Sequence, residues 1–96
     1  MGFTKCRQQA IRDFFQIFDE SQERWGSMVA EETAYRLTAR CRGIAEGRAI
    51  GHARRDLPSI PWLFLNEAPF VIVYDPADRL VIRILHQARD MPRLIR

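Results

Sequence analysis

The chain has few of the features that mark membrane or secreted proteins. No apolar run in its 96 residues approaches the length needed to cross a bilayer. The N-terminal stretch 1–15 has no apolar segment followed by a small-residue cleavage site, and the residues after Gly2 lack the Ser or Thr of a myristoylation site. These absences predict a cytoplasmic protein without a membrane anchor.

Cysteine and histidine are also scarce. Cys6 and Cys41 lie far apart in the sequence without a Cys-x-x-Cys motif, which predicts reduced thiols, with a disulfide as the alternative. His52 and His86 lack metal-ligand spacing with any Cys, Asp or Glu. The sequence therefore predicts neither a metal site nor a cofactor.

Common catalytic motifs are missing as well. None of the three serines lies in a Gly-x-Ser-x-Gly elbow. Gly43, Gly47 and Gly51 are not followed by the Lys-Ser/Thr of a phosphate-binding loop, and no strand precedes them. The sequence therefore predicts no catalytic residues of a conventional hydrolase, kinase or dehydrogenase.

Lysine is nearly absent, since Lys5 stands against fourteen arginines. The net charge of +3 is too small to indicate sequence-specific nucleic-acid binding, although arginine suits bidentate contacts to carboxylates or phosphates. The basic loop 47–58 lacks interleaved aromatic residues that would stack on bases, which favours a solvated loop. The length predicts one domain, 1–96, whose modest core a partner would complete.

Apolar periodicity predicts two helices in the first half of the chain. The first runs from Gln8 to Glu20, where Asp19 to Ser21 end it, and its apolar stripe is wider than one core contact needs. That stripe consists of Ala10, Ile11, Phe14, Phe15, Ile17 and Phe18. The second begins at Ser21 or Ser27 and runs to Glu46, with apolar positions spaced 4, 3, 4, 3. A short link would make the two helices an antiparallel hairpin.

Three strands are predicted in the second half, at Ile60–Asn66, Phe70–Tyr74 and Leu80–His86. Their short connections make neighbouring strands antiparallel. A further short strand at Phe3–Cys6 could join the sheet. The predicted fold is α+β, with an N-terminal helical hairpin packed on a small antiparallel sheet of three to four strands.

The third predicted strand carries an arginine and a histidine that suggest a site. Strict alternation places Arg83 with Val81 on one face and His86 on the other. One interpretation is a polar cluster at the strand end that binds a partner or transfers protons. The structural alternative pairs Arg83 with Asp13 or Glu67 and bonds His86 to a backbone carbonyl.

The stretch from Phe70 to Met91 resembles the C-terminal signature of the RelE/ParE toxin superfamily, in particular its ParE branch. That signature is an apolar strand with an aromatic end, a turn, then Ile-x-Arg-x-Leu-His followed closely by Arg-Asp. The matching residues are Tyr74, Ile82, Arg83, Leu85, His86, Arg89 and Asp90. The first helix is also similar to the family pattern Ala-x-x-Asp-Leu-x-x-Ile, matched by Ala10, Asp13 and Ile17 with Phe14 in place of leucine.

The resemblance implies a plasmid-stabilisation type of toxin that a ParD-like antitoxin binds and neutralises in a hetero-oligomer. ParE-like members act on DNA gyrase as protein-binding inhibitors, whereas RelE-like members cut mRNA in the ribosome. No aromatic residue follows Tyr74, and the arginine that the family places before the FVIVY run is missing from 60–64, which favours the ParE-like function. A non-toxic relative that only binds its antitoxin is a third hypothesis. The resemblance implies the following target contacts: Arg83, His86, Arg89, Asp90 and Met91.

Apolar side chains left over from the core predict where the antitoxin binds. The wide stripe of the first helix forms a helix-in-groove docking surface, around which arginines would meet an acidic antitoxin tail. The predicted antitoxin-binding residues are Ile11, Phe14, Phe15, Phe18 and Trp25.

The tail after Asp90 alternates apolar and basic residues and is either a frayed terminus or a short amphipathic contact with a partner.

Overall fold

Three helices and one three-stranded sheet make up the structure, a computed structural model that describes residues 5–57 and 59–94, with side chains up to Met91. The helices are α1 (Gln8–Trp25), α2 (Ser27–Ala45) and α3 (Gln87–Leu94), and the strands are β1 (Leu63–Glu67), β2 (Phe70–Asp75) and β3 (Leu80–His86). The strands form an antiparallel sheet in the order β1-β2-β3, on which α1 and α2 pack. The predicted α+β fold is confirmed.

Helix α1 is longer than predicted. Its predicted end at Glu20 is wrong, because the polar residues 21–24 are compatible with a helix and α1 continues to Trp25. The chain then turns at Gly26, whose φ of 90° lies in the region that favours glycine. Helix α2 begins at Ser27, one of the two predicted starts, and ends at Ala45, one residue before the predicted end.

Strand β1 begins three residues later than predicted. The predicted start at Ile60 is wrong because Pro61 has no N–H to donate to a neighbouring strand, and regular pairing begins at Leu63. The loop before it runs along the outer edge of β1, where His52 and Phe64 exchange two backbone hydrogen bonds of 2.8 Å. A Cβ on the neighbouring Gly51 would lie 2.6 Å from the Phe64 carbonyl oxygen, so this close approach requires glycine.

The opposite edge of the sheet is β3, where the N-terminal segment lies. Cys6 forms a parallel bridge with Val81, and the Arg7 N–H donates to the Val81 carbonyl at 2.8 Å. The strand predicted at Phe3–Cys6 falls mostly outside the described residues, and its described end contributes this bridge. Both edges of the sheet therefore carry an added backbone contact, which covers N–H and C=O groups that an open edge would expose.

Two apolar clusters fill the two faces of the sheet. The cluster between the hairpin and the sheet contains Ala10, Phe14, Ile17, Leu37, Cys41, Ile44, Leu65, Ile72, Tyr74, Val81 and Ile84. The cluster on the other face contains Leu57, Phe64, Val71, Val73, Leu85 and Met91. Strand β2 is buried on both faces, as its continuous apolar run predicted. Helix α3 covers the second face through Met91, and this helix was not predicted from the sequence.

Strand β3 departs from strict alternation, which corrects one prediction. Val73 pairs with Arg83 but Tyr74 pairs with Val81, so β3 carries one extra residue at this point. Because such a bulge shifts the side-chain pattern by one position, Val81 lies in the same cluster as Ile84 under the helices. The prediction that Val81 shares a face with Arg83 is therefore wrong.

Candidate functional site

A buried carboxylate joins α1 to β3. Asp13, on the buried face of α1 and 6% exposed, accepts hydrogen bonds from Arg83 Nε at 2.8 Å and Arg83 Nη2 at 3.2 Å. It also accepts from the Ile84 N–H at 3.0 Å and from Gln9 Nε2 at 3.2 Å. The hydrogen bond to Asp13 raises the pKa of Arg83 above its ordinary value.

The structure confirms the interpretation in which Arg83 pairs with an acidic residue of the fold. Its partner is Asp13, while Glu67 accepts hydrogen bonds from Arg36 at 3.1 Å and Arg40 at 2.8 Å. The guanidinium of Arg83 is half-buried, with 35% of the side chain exposed, so its outer edge still lines the surface. Arg83 therefore positions α1 against the sheet and adds positive charge to the surface above it.

His86 and Asp90 cap the first turn of α3. The His86 N–H donates to Asp90 Oδ2 at 3.0 Å, and the Arg89 N–H donates to His86 Nδ1 at 3.3 Å. This reciprocal pattern satisfies backbone donors at a helix start, as a capping box does. The His86 ring also meets the Phe70 ring edge to face, with centroids 5.8 Å apart. Among the hydrogen bonds of the described residues, the His86 ring accepts from a backbone N–H at Nδ1, and the alternative bond to a backbone carbonyl is not found there.

The tail after Asp90 is ordered as a helix. Residues 91–94 continue α3, so the predicted frayed terminus is wrong as far as Leu94, and residues 95–96 lie outside the described chain. Met91, a predicted target contact, is buried in the cluster on the second face of the sheet. The amphipathic contact between the segment after Asp90 and a partner stays a prediction. Met91 itself packs into the core.

Arg89 is the most accessible of the predicted target contacts with a charge. Its side chain is 46% exposed and reaches Glu20 at 3.4 Å and Asp90 at 3.3 Å, both longer than a strong charge-assisted hydrogen bond. Exposed pairs of this length contribute little to stability. The guanidinium of Arg89 can therefore exchange these carboxylates for one on another molecule at small cost.

Arg89 stands between two clefts. The first, here the polar cleft, has a volume of about 290 Å³ and lies between α1, β3 and α3. Its charged lining residues are Asp13, Glu20, Arg83, Arg89 and Asp90. The second, here the aromatic cleft, has a volume of about 240 Å³ and lies at the end of α1 beside the β1–β2 turn. Its lining includes Arg24, Trp25, Pro69, Phe70, His86 and Arg89.

An exposed apolar stripe follows the outer side of α1. Ile11, Phe15, Phe18 and Trp25 lie at intervals of 4, 3 and 7 residues, which places them along one side of a helix. Phe15 is 51% exposed and Trp25 is 68% exposed, while Ile11 and Phe18 are partly exposed. Phe14, which was predicted to belong to the same docking surface, is instead buried in the core and supports the stripe through an edge contact with Phe15.

The stripe and the aromatic cleft meet at Trp25, which belongs to both. Sequence reasoning predicted Trp25 as an antitoxin contact and Arg89 as a target contact, and the structure brings these residues to one cleft. It missed Arg24 and Phe70 as lining residues, and Arg24 lies in the part of α1 beyond the predicted end at Glu20. Met28 and Tyr35 on α2 are also exposed, and the sequence analysis assigned neither of them to a surface.

The basic loop carries internal ion pairs. Arg48 pairs with Glu46, and Arg54 pairs with Asp56 while lying 5.7 Å from the centroid of the Phe64 ring. The hydrogen bond from Arg54 lowers the pKa of Asp56. These contacts agree with a solvated loop rather than a phosphate-binding surface.

The described residues, 5–57 and 59–94, lack two kinds of feature. No group of three or more His, Cys, Asp or Glu side chains is placed to hold a metal ion. None of the helices is long and apolar enough to span a bilayer.

Comparison with known families extends the resemblance beyond its two motifs. A family model described as the ParE toxin of type II toxin-antitoxin system, parDE, matches residues 5–91. The match includes α1, α2, the whole sheet and the first turn of α3. Among curated proteins, none matches this chain.

Proposed function

This chain belongs to the ParE toxin family of type II toxin–antitoxin systems, and we propose that it is a toxin that acts on DNA gyrase in the cytoplasm. A ParD-like antitoxin neutralises it by forming a hetero-oligomer. The toxin acts by binding and inhibiting its target rather than by catalysing a reaction.

The roles of the acid–base groups support binding over catalysis. Asp13 is occupied by Arg83 and by the Ile84 N–H, while His86 and Asp90 cap α3. A general acid or base must be within reach of the proton that it transfers, and these side chains are already engaged in holding the fold. Arg89 is accessible between the two clefts, where it suits a carboxylate or a phosphate group on the target.

The exposed apolar stripe supports the antitoxin surface. Aromatic side chains with half or more of their area exposed gain most from burial against a partner helix, and Phe15 and Trp25 meet that condition. Arg24 lies beside Trp25 and can meet an acidic residue of the antitoxin. Phe14 supports this surface from beneath.

The target is tested with the purified toxin in two parallel assays, DNA supercoiling by gyrase and mRNA cleavage in a translation extract. We expect inhibition of supercoiling with accumulation of cleaved DNA, and no mRNA cleavage. Arg89→Ala should weaken inhibition about tenfold or more, whereas Arg55→Ala, which removes the same charge from an exposed loop, should not.

Each other outcome in these assays contradicts the gyrase proposal. Cleavage of mRNA without an effect on gyrase would identify a RelE-like endonuclease. The absence of both activities in a protein that still binds its antitoxin would identify a non-toxic relative.

The antitoxin surface is tested by titrating the antitoxin encoded next to the toxin gene against charged variants. Phe15→Glu and Trp25→Glu should each weaken binding by about 100-fold, because a carboxylate would be buried against an apolar partner. Ile50→Glu is the matched control, since Ile50 is 72% exposed but lies in the loop before β1. Equal binding by all three variants would show that the surface lies elsewhere.

A further inference from the structure

Two cysteines that are distant in the sequence come together where the segment before α1 packs near the end of α2. Cys6 precedes α1 and is fixed by its bridge to Val81 at the edge of β3. Cys41 lies in the last two turns of α2, buried in the cluster under the helices. Cys6 packs against that same cluster, and its side chain hydrogen-bonds with that of Cys41. The two thiols are therefore neighbours at that cluster, and no disulfide joins them.

The two thiols differ in accessibility and in acidity. Cys6 is partly exposed, whereas Cys41 is buried with 6% of its surface exposed. The hydrogen bond from Cys41 lowers the pKa of Cys6 against the opposing effect of burial, and the same bond together with burial raises the pKa of Cys41. Cys6 is thus the thiol that ionises first and that a solute can reach, while Cys41 remains protonated beside it.

We propose that Cys6 and Cys41 are a redox modification site that reacts with hydroperoxides and closes to an intrachain disulfide. In the first step the Cys6 thiolate attacks the terminal oxygen of the hydroperoxide, the O–O bond breaks, and Cys6 becomes a sulfenic acid while the peroxide leaves as water or an alcohol. In the second step the Cys41 sulfur attacks the Cys6 sulfur, the S–O bond breaks, and water leaves with the Cys41 proton. The two thiols together lose two electrons, and the peroxide gains them.

The disulfide would tie the N-terminal segment and the edge of β3 to α2. It closes a loop of about 35 residues, which restricts the unfolded chain and raises the free energy of unfolding. For a domain of this size, a crosslink over such a loop corresponds to an increase in Tm of about 10 °C or more. The oxidised toxin would therefore outlast the reduced toxin under conditions that unfold the chain.

The experiment uses the full chain, reduced and then freed of reductant, with hydrogen peroxide as the probe. Intact mass should show the loss of two hydrogen atoms, and thiol labelling should show that both thiols disappear together. Cleavage before aspartate separates fragment 1–12, which carries Cys6, from fragment 19–55, which carries Cys41. These two fragments should remain linked until a reductant is added, and the oxidised chain should melt at the higher temperature.

Two variants assign the order of the steps. In Cys41→Ser, Cys6 should stop at a sulfenic acid that a 1,3-dione traps, because the resolving thiol is missing. In Cys6→Ser, Cys41 should resist peroxide because it is buried. Oxidation of Cys6 in the wild-type chain to a sulfinic acid with Cys41 still a thiol, or dimers linked through Cys6, would overturn the proposal even if neither variant folds.

Discussion

Arg83 and Arg89 belong to the same short motif but have different surroundings. Arg83 makes two hydrogen bonds of 2.8 and 3.2 Å with a carboxylate that is 6% exposed. Arg89 makes longer contacts with Glu20 and Asp90, both of which are partly exposed. Breaking a buried pair leaves a charge without a partner, whereas an exposed pair can be exchanged for water. The motif therefore combines one arginine that holds the fold with another that is accessible to a partner.

The largest effect should come from removing the buried carboxylate. Asp13→Ala leaves the Arg83 guanidinium and the Ile84 N–H without their acceptor, so the free energy of unfolding should fall by about 3 kcal/mol. Urea denaturation followed by circular dichroism measures this loss. Asp19→Ala, an exposed aspartate on the same helix, is the matched control and should change stability by less than about 0.5 kcal/mol. A loss below about 1 kcal/mol in Asp13→Ala would mean that the pair contributes no more than a surface contact.

The next largest effect should come from replacing Arg83, the other partner of the buried pair. Combining this change with Asp13→Ala then measures the coupling energy between the two residues. Arg83→Met should lower the free energy of unfolding by about 2 kcal/mol, less than Asp13→Ala, because Asp13 keeps its bond from the Ile84 N–H and Arg83 is 35% exposed. The double variant should lose clearly less than the sum of the two single changes, with a coupling energy of about 1–2 kcal/mol. The equivalent cycle on Arg89 and Glu20 should give a coupling below about 0.5 kcal/mol. Equal couplings in the two cycles would remove the distinction between the arginines.

Much of this pair could be predicted from the sequence, because a charged residue within an apolar strand requires a partner. Asp13 was one of two acids considered, and its position on the apolar face of α1 marks it as buried. The bulge in β3 could not be predicted, since it depends on how β2 and β3 pair and leaves no mark in the periodicity of β3 alone.

The ends of elements were less predictable than their presence. Residues 21–24 have no helix breaker, so apolar periodicity alone could not show that α1 continues to Trp25 and stops before Gly26. Helix α3 escaped prediction because its start depends on hydrogen bonds of His86 and Asp90, and it buries Met91 on the sheet face away from the hairpin. The contact between Cys6 and Cys41 is likewise tertiary, created by packing the N-terminal segment against α2.

A moderate effect should follow from removing the cap between the two arginines. His86→Ala removes the acceptor of the Arg89 N–H and should lower the free energy of unfolding by about 1 kcal/mol. His86→Asn, whose side-chain oxygen can accept from the same N–H, should recover most of the loss. Amide hydrogen exchange in residues 87–91 should increase in the alanine variant and not in the asparagine variant. Equal losses in both variants would assign the effect to the ring contact with Phe70 instead.

The smallest effect on stability should come from Arg89→Ala, which should change the free energy of unfolding by no more than about 0.5 kcal/mol. Its two carboxylate partners are exposed enough to be hydrated, and its backbone N–H still donates to His86. Induced expression of Arg89→Ala without the antitoxin measures its toxicity. We expect this variant to remain folded but no longer to arrest growth. A variant that loses more than about 1 kcal/mol would show that Arg89 holds the fold as Arg83 does. A stable variant that still arrests growth would mean that the target contacts the protein elsewhere.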